Sequence, residues 1–250
     1  MSIPEISQML EAGVHFGHLT KRWNPKMRPY ILTERNGIYV LDLEKTRVCL
    51  QKAIEALRRL RSQGKTVLFV GTKKTVKDCV KEEAIRCGMY YVTERWLGGM
   101  LTNFPTVRKS IKRLEEIEKM ETDGILKDLA KKEVLGLNKE RAKLESIFSG
   151  IRHMKSLPGA LFVSDTEHEH IAVHEASRLK IPVIGIVDSN SNPESVAYPI
   201  PGNDDALKSV GLLTRVLSDA ILEVQAPSIE DVKTEQPRLA VAAVAAEGAV

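Results

Sequence analysis

Four runs of apolar residues, at 66–70, 89–92, 160–163 and 182–187, form the most regular pattern in the chain. Each run is short and lacks an alternation of apolar and polar positions, which is typical of strands that are buried on both faces. Stretches with apolar residues at helical spacing separate several of these runs, and such an alternation indicates a parallel sheet. The pattern therefore predicts an α/β fold with helices on both faces of the sheet.

Other stretches add helices and one more strand to this prediction. The predicted helices are 3–14, 44–62, 167–179 and 204–224. Residues 37–41 are apolar enough to predict a strand. Pro25 and Pro29 favour an extended, irregular path for the chain before it, because the residue that precedes a proline avoids helical dihedral angles.

The stretch between the second and third apolar runs is much longer than the other intervals, and this excess predicts an insertion. Apolar residues recur there at steps of three and four, with one step of seven, on two arms that are otherwise dense in Lys, Arg and Glu. The positions are Val107, Ile111, Leu114 and Ile117, then Leu137, Leu144, Ile147, Ile151 and Met154. Narrow apolar stripes of this kind predict an antiparallel coiled-coil hairpin that projects from the sheet. Two helices lying flat on the domain would need wider apolar faces.

These patterns divide the chain into four parts. Residues 1–36 form an N-terminal helix and a basic extended segment. Residues 37–104 and 157–224 form the α/β domain, and 105–156 form the inserted hairpin. The Ala-rich end, 225–250, loses all periodicity and predicts a disordered tail.

Composition limits the classes of protein that fit. The chain has 250 residues, of which 43% are hydrophobic and 28% charged, with a formal net charge of +4. No apolar run approaches the length of a membrane span, and Ser2 to Glu5 has the pattern of a helix start rather than of a signal peptide. The odd number of cysteines, three, does not suit a disulfide framework. We expect a cytoplasmic protein without a membrane partner.

Enzymatic chemistry has limited support in the sequence. The loop that begins at Gly71 has neither of the glycine patterns that bind nucleotide phosphates, and no GxSxG motif is present. His170 and His174 are four residues apart, so they would share a helix face and could join a metal site with an acidic residue. The acidic candidates follow predicted strands or start a helix, and are Asp165, Asp188, Asp204 and Asp205. The alternatives are therefore a metal-dependent α/β enzyme, or exposed histidines beside an acidic helix start.

Nucleic-acid chemistry is better represented. The segment 21–35 interleaves cations with aromatic and amide side chains, and 95–105 repeats this chemistry around paired glycines. Cations neutralise phosphates, and planar rings stack on unpaired bases. The candidate RNA-binding residues are Lys21, Arg22, Trp23, Asn24, Lys26, Arg28, Lys73, Lys74, Arg95, Trp96, Asn103 and Arg108. In the competing interpretation the tryptophans are buried anchors and the cations a solvated face. His15 and His18 are predicted to pack or hydrogen-bond near the surface rather than to bind metal.

Three long motifs carry a family resemblance. LEAGVHFGHLTKRWNPKMRPYI, RWLGGMLTNF and IPVIGIVDSNSNPESVAYPIPGNDDA resemble, in this order, the bacterial small-subunit ribosomal protein family S-two, over about residues 2–224. The resemblance implies a flavodoxin-like parallel sheet flanked by helices, with an inserted antiparallel coiled-coil hairpin. It also implies a structural role on the ribosome without enzymatic activity or cofactor. The implied partners are small-subunit ribosomal RNA and neighbouring ribosomal proteins, including the messenger-binding protein S-one, and not DNA. His174 is atypical of the family pattern.

Overall fold

A computed structural model of the chain describes residues 3–125 and 129–224. The helices and strands, in chain order, are α1 Ile6–Glu11, β1 Phe16–Leu19, β2 Ile31–Arg35, β3 Ile38–Leu41, α2 Leu43–Ser62, β4 Val67–Val70, α3 Lys77–Arg86, β5 Tyr90–Val92, α4 Phe104–Thr122, α5 Lys131–Phe148, β6 Ala160–Val163, α6 His170–Arg178, β7 Val183–Val187, β8 Tyr198–Pro201 and α7 Leu207–Leu222. Short 3-10 helices lie at Thr20–Arg22, Pro25–Tyr30, Ser149–Ile151 and Pro193–Ser195. The tail predicted at 225–250 lies outside the described residues.

Within residues 3–125 and 129–224, the main sheet has five strands in the order β5-β4-β6-β7-β8, and every neighbouring pair is parallel. This confirms the prediction of a parallel sheet, and the order is consistent with a flavodoxin-like fold. The sequence pattern missed β8. Pro199 and Pro201 interrupt its pattern, and prolines are tolerated there because β8 is an edge strand.

Both faces of this sheet are covered, as the unbroken apolar runs predict. Phe69 and Phe162 lie in one buried cluster, together with apolar residues of α2, α3 and α7. Leu68 and Leu161 lie in a second cluster, which includes α6 and the start of α4. Neighbouring residues of a strand point to opposite faces, so one sheet supplies both clusters.

A second, three-stranded antiparallel sheet in the order β1-β3-β2 precedes the main domain. The sequence pattern predicted only β3. The extended path expected from Pro25 and Pro29 is wrong, since Pro25–Tyr30 is a 3-10 helix whose first turn is capped by Asn24 Oδ1, 3.0 Å from the Lys26 amide. The fixed φ of proline near −65° suits a helical first turn as well as an extended chain.

The long interval between β5 and β6 holds two helices, α4 and α5, which pack against each other. Val107 and Ile111 belong to the second buried cluster of the domain. Leu114 and Ile117 are also buried but lie in neither cluster. Ion pairs join the two helices, with Arg113 Nε 3.1 Å from Glu140 Oε1. Within the described ranges, no helix has the length and apolar character needed to cross a bilayer.

Candidate nucleic-acid interface and strand-end cluster

The basic segment, residues 20–30, presents its cations to solvent. Lys21, Arg22 and Arg28 are exposed, and Lys26 forms an ion pair with the exposed Glu194. The Trp23 ring is half-buried, with its centroid 5.2 Å from that of Tyr39. This segment therefore offers positive charge and part of one aromatic ring.

The basic segment is fixed to the end of β7. The amides of His18 and Asn24 donate to the hydroxyl and the carbonyl oxygen of Ser189, each at 2.7 Å. A Cβ on Gly17 would lie only 2.8 Å from Ser189 Oγ, so this close approach requires a glycine. These contacts hold the segment against the carboxyl end of the main sheet.

The loop at 93–103, between β5 and α4, has a buried underside and an exposed upper side. Trp96, Met100 and Leu101 are buried, whereas Arg95 and Asn103 are exposed. The indole of Trp96 donates to a carboxylate oxygen of Glu175 at 3.1 Å. The structure therefore favours the interpretation of Trp96 as a buried anchor of this loop.

Arg108 connects the start of α4 to the chain that returns from α5. Its Nη1 donates to the carbonyl oxygens of Arg152 and Met154, at 3.0 and 3.3 Å. The side chain is half-buried. Its role in contacting RNA stays a prediction, and the structure adds a role in holding the base of the two helices.

Lys73 and Lys74, in the loop after β4, have different surroundings. Lys74 is exposed. The ammonium of Lys73 lies 2.6 Å from Asp165 Oδ2, 3.0 Å from Asp204 Oδ1 and 2.7 Å from Asp205 Oδ1. Burial opposes its charge, but these carboxylates outweigh burial and raise the pKa of Lys73. A phosphate contact of Lys73 stays a prediction, in competition with three ion pairs.

The acidic residues that follow the strands meet at one edge of the sheet, as expected for parallel strands. We name Lys73, His18 and the acids Asp165, Asp188, Asp204 and Asp205 the strand-end cluster. Asp204 is fully buried, and burial together with the charges of Asp165 and Asp188 raises its pKa to about 8. Asp204 therefore keeps its proton at neutral pH more readily than an ordinary aspartate does, and three other acids remain beside the single ammonium group of Lys73.

His18 supplies a second positive charge to this cluster. Its Nδ1 lies 3.0 Å from Asp188 Oδ2, and its Nε2 lies 3.5 Å from Asp205 Oδ2. The Asp188 carboxylate, at hydrogen-bonding distance, raises the pKa of His18 to about 8, against the opposing effect of burial. The prediction of a hydrogen-bonding His18 is consistent with these contacts, but no local pattern showed its partners, because they lie far along the chain.

Two places carry groups suited to metal ions. His18, Asp188 and Asp204 each offer a ligand atom within 4.8 Å of the others, and among the described residues this is the only set of three or more that does so. The predicted pair, His170 and His174, instead lines a separate cavity of about 290 Å³. The structure therefore does not bring this pair to the strand-end acids.

Comparisons with known proteins agree with the motifs. The model of the family described as "Ribosomal protein S2" matches residues 9–224. The chain is 53% identical over 223 residues to the small ribosomal subunit protein uS2 of a strain of Treponema pallidum subsp. pallidum, an alignment that covers 89% of this chain and 77% of that protein. The corresponding protein of Treponema pallidum strain Nichols gives the same values.

Proposed function

Because the chain belongs to the ribosomal protein S2 family, we propose that it binds ribosomal RNA in the small ribosomal subunit and helps to dock the messenger-binding protein S-one. Membership in this family makes the protein a structural component of the ribosome and not an enzyme. The alternative of a metal-dependent α/β enzyme is therefore set aside. The proposal places the protein in the cytoplasm, on the ribosome.

One observation supports RNA binding above the others: three of the candidate segments lie at the same edge of the main sheet. The loop with Lys74 follows β4, the loop with Arg95 follows β5, and the basic segment is fixed to Ser189 after β7. The carboxyl ends of parallel strands share one edge, so cations that are distant in sequence are brought to the same edge as the strand-end cluster, where Lys73 and His18 pair with the acids. In this proposal the exposed cations at this edge neutralise several phosphates.

Charge reversal on the basic segment tests this proposal. Arg22→Glu with Arg28→Glu changes two exposed cations and leaves Lys26, which pairs with Glu194, in place. We expect the variant to fold but to leave the small-subunit fractions of a sucrose gradient at moderate salt. The affinity falls with rising salt, and each lost phosphate contact should reduce the magnitude of the slope of log affinity against log salt concentration by about 0.7 to 0.9.

The matched control for this variant is Arg47→Glu with Lys52→Glu, which reverses two exposed cations on α2. We expect the control to co-sediment with small subunits. Equal co-sedimentation of both variants would reject RNA binding by the basic segment.

The two inserted helices form an antiparallel coiled coil in this proposal, and they reach a second RNA element or a neighbouring protein. Two features support the pairing: apolar positions recur mostly at steps of three and four, and ion pairs such as Arg113 with Glu140 join α4 to α5. The buried Leu114 and Ile117 fit the seam between the helices.

Docking of protein S-one is assigned in this proposal to the small antiparallel sheet. Phe16, Leu19 and Leu32 on β1 and β2 are 49%, 54% and 65% exposed, and exposed apolar side chains suit a protein partner. We expect Phe16→Ser with Leu32→Ser to reduce recovery of protein S-one in a pull-down from nuclease-treated lysate. Ile85→Ser, at an exposed apolar residue of α3, is the control. Equal recovery with the natural chain and both variants would exclude this sheet.

A further inference from the structure

Glu175, on α6, makes five hydrogen bonds to one loop that the proposed function uses. Its Oε1 accepts from the indole of Trp96 at 3.1 Å and from the amide of Gly99 at 2.6 Å. Its Oε2 accepts from the amides of Leu101 and Thr102 at 3.0 and 2.9 Å, and from the Thr102 hydroxyl at 3.0 Å. One carboxylate therefore gathers donors from both halves of the loop at 93–103.

We propose that Glu175 is a positioning residue for RNA binding, which holds the loop at 93–103 so that Arg95 and Asn103 face the RNA. This inference rests on the proposed function. Glu175 itself is 6% exposed and lies beneath the loop, so it acts through the loop and not by touching RNA. Its negative charge would otherwise repel phosphate.

The chemistry of the contact explains why a carboxylate stands at this position. All five donors are neutral amide, indole or hydroxyl groups, and a buried anion makes strong hydrogen bonds with such groups. Burial opposes the charge, but the hydrogen bonds of Thr102, Gly99, Trp96 and Leu101 outweigh it and lower the pKa of Glu175. The side chain is therefore ionised at neutral pH and can accept from all five donors.

The loop has a shape that depends on this contact. Gly99 adopts a φ of +92°, a conformation that favours glycine, and its carbonyl oxygen accepts from the Asn103 amide at 2.8 Å. The Gly99 amide is one of the groups that Glu175 holds. Loss of the carboxylate would therefore release the turn that sets where Asn103 and the start of α4 stand.

A double-mutant cycle separates positioning from simple stabilisation. Glu175→Gln replaces one acceptor oxygen by an amide donor that faces other donors. Binding of the purified full chain to small ribosomal subunits stripped of this protein is measured for Glu175→Gln, Arg95→Ala and the double variant. The cycle is repeated with Arg22→Ala, which lies in the basic segment. Val210→Ala, in the other buried cluster, serves as a control for lowered stability alone.

We expect Glu175→Gln to weaken binding about fivefold to tenfold, and to speed amide hydrogen exchange at Gly99, Leu101 and Thr102. The double variant with Arg95→Ala should bind about as weakly as the weaker single variant, because both changes remove the same contact. The fold-losses in affinity caused by Glu175→Gln and by Arg22→Ala should multiply in the double variant, because the two residues act at separate contacts. Val210→Ala should bind normally below its melting temperature.

Two results would overturn the inference, and they are distinguishable. In the first, Arg95→Ala and Arg22→Ala weaken binding but Glu175→Gln does not, or the effect of Glu175→Gln multiplies with that of Arg95→Ala. The positioning role of Glu175 is then rejected, and the proposed RNA binding stands. If neither arginine variant weakens binding, the proposed function of this surface fails, and the positioning role fails with it.

Discussion

At the scale of single residues, the strand-end cluster shows how partners distant in sequence change the properties of one side chain. His18 lies between Asp188 and Asp205, and Asp204 and Lys73 belong to the same cluster. The folded state binds a proton on His18 more tightly than the unfolded chain does, because the pKa is about 8 against an ordinary value near 6.5. The basic segment is attached directly beside this histidine, through Ser189.

This raised pKa predicts a pH dependence of stability. The contribution of protonated His18 is complete below about pH 6.5 and is lost as the pH rises through about 8. The difference in free energy of unfolding between the natural chain and His18→Gln should therefore shrink by about 1 kcal/mol from acidic to alkaline pH, after allowance for partial solvent exposure. Urea unfolding at several pH values measures it. A difference that does not change with pH would contradict the ionic role of His18.

The two tryptophans mark a limit of sequence reasoning at this scale. Trp23 and Trp96 both stand in stretches with cations, glycines and amides, and the sequence left open whether each ring stacks on RNA or is buried. Trp96 is buried against Glu175, whereas Trp23 is half-buried beside Tyr39. The difference arises from partners on other elements, which a local pattern does not contain.

At the scale of elements, α4 and α5 depend on each other. Val107 and Ile111 pack into the domain, whereas Leu114 and Ile117 are buried but lie outside both buried clusters. Since α4 packs against α5, we expect α5 to cover these two side chains. Isolated helices of this length are marginal in water. The outer part of each helix therefore owes its stability to the other.

Removing one side chain from that contact tests this dependence. Leu114→Ala should lower the stability of the paired helices by about 2–4 kcal/mol, because a buried leucine is replaced by a cavity. Hydrogen exchange should speed up in α4 and α5, while the amides of β4 and β6 stay protected. Lys112→Ala, at an exposed position of α4, should change neither. Equal loss of protection in the strands would show that the helices do not unfold separately.

Strands buried on both faces were predicted well from the sequence. β4, β6 and β7 are continuous apolar runs, and each was predicted within a residue or two of its observed ends. β1 and β2 were missed because they belong to a small sheet with several exposed positions, so their residues lack an unbroken apolar pattern. Glu175 was missed as well, since a carboxylate on a helix gives no signal of the loop that it holds.

At the scale of the whole molecule, topology brings the candidate residues together. Loops that follow parallel strands meet at one edge, so the meeting of Asp165 and Asp188 could be predicted from the predicted strands, whereas Asp204 and Asp205 follow β8, which the sequence pattern missed. The presence of His18 at that edge could not be predicted, because it requires the N-terminal sheet to pack against the residues after β7. The sequence therefore predicts the parallel sheet and its carboxyl edge, whereas contacts between distant elements determine which side chains lie at that edge.

The attachment of the basic segment to Ser189 has a consequence for the newly made protein. The basic segment is synthesised before its anchor, since His18 and Ser189 are separated by 171 residues. At a synthesis rate of about 5–20 residues per second, roughly 9–34 s pass before the anchor exists. During that interval the cations of the basic segment belong to a nascent chain without its anchor, close to the RNA of the ribosome that synthesises it. A truncated chain that ends before β7 would keep these cations but would lack the contacts with Ser189 that fix their position.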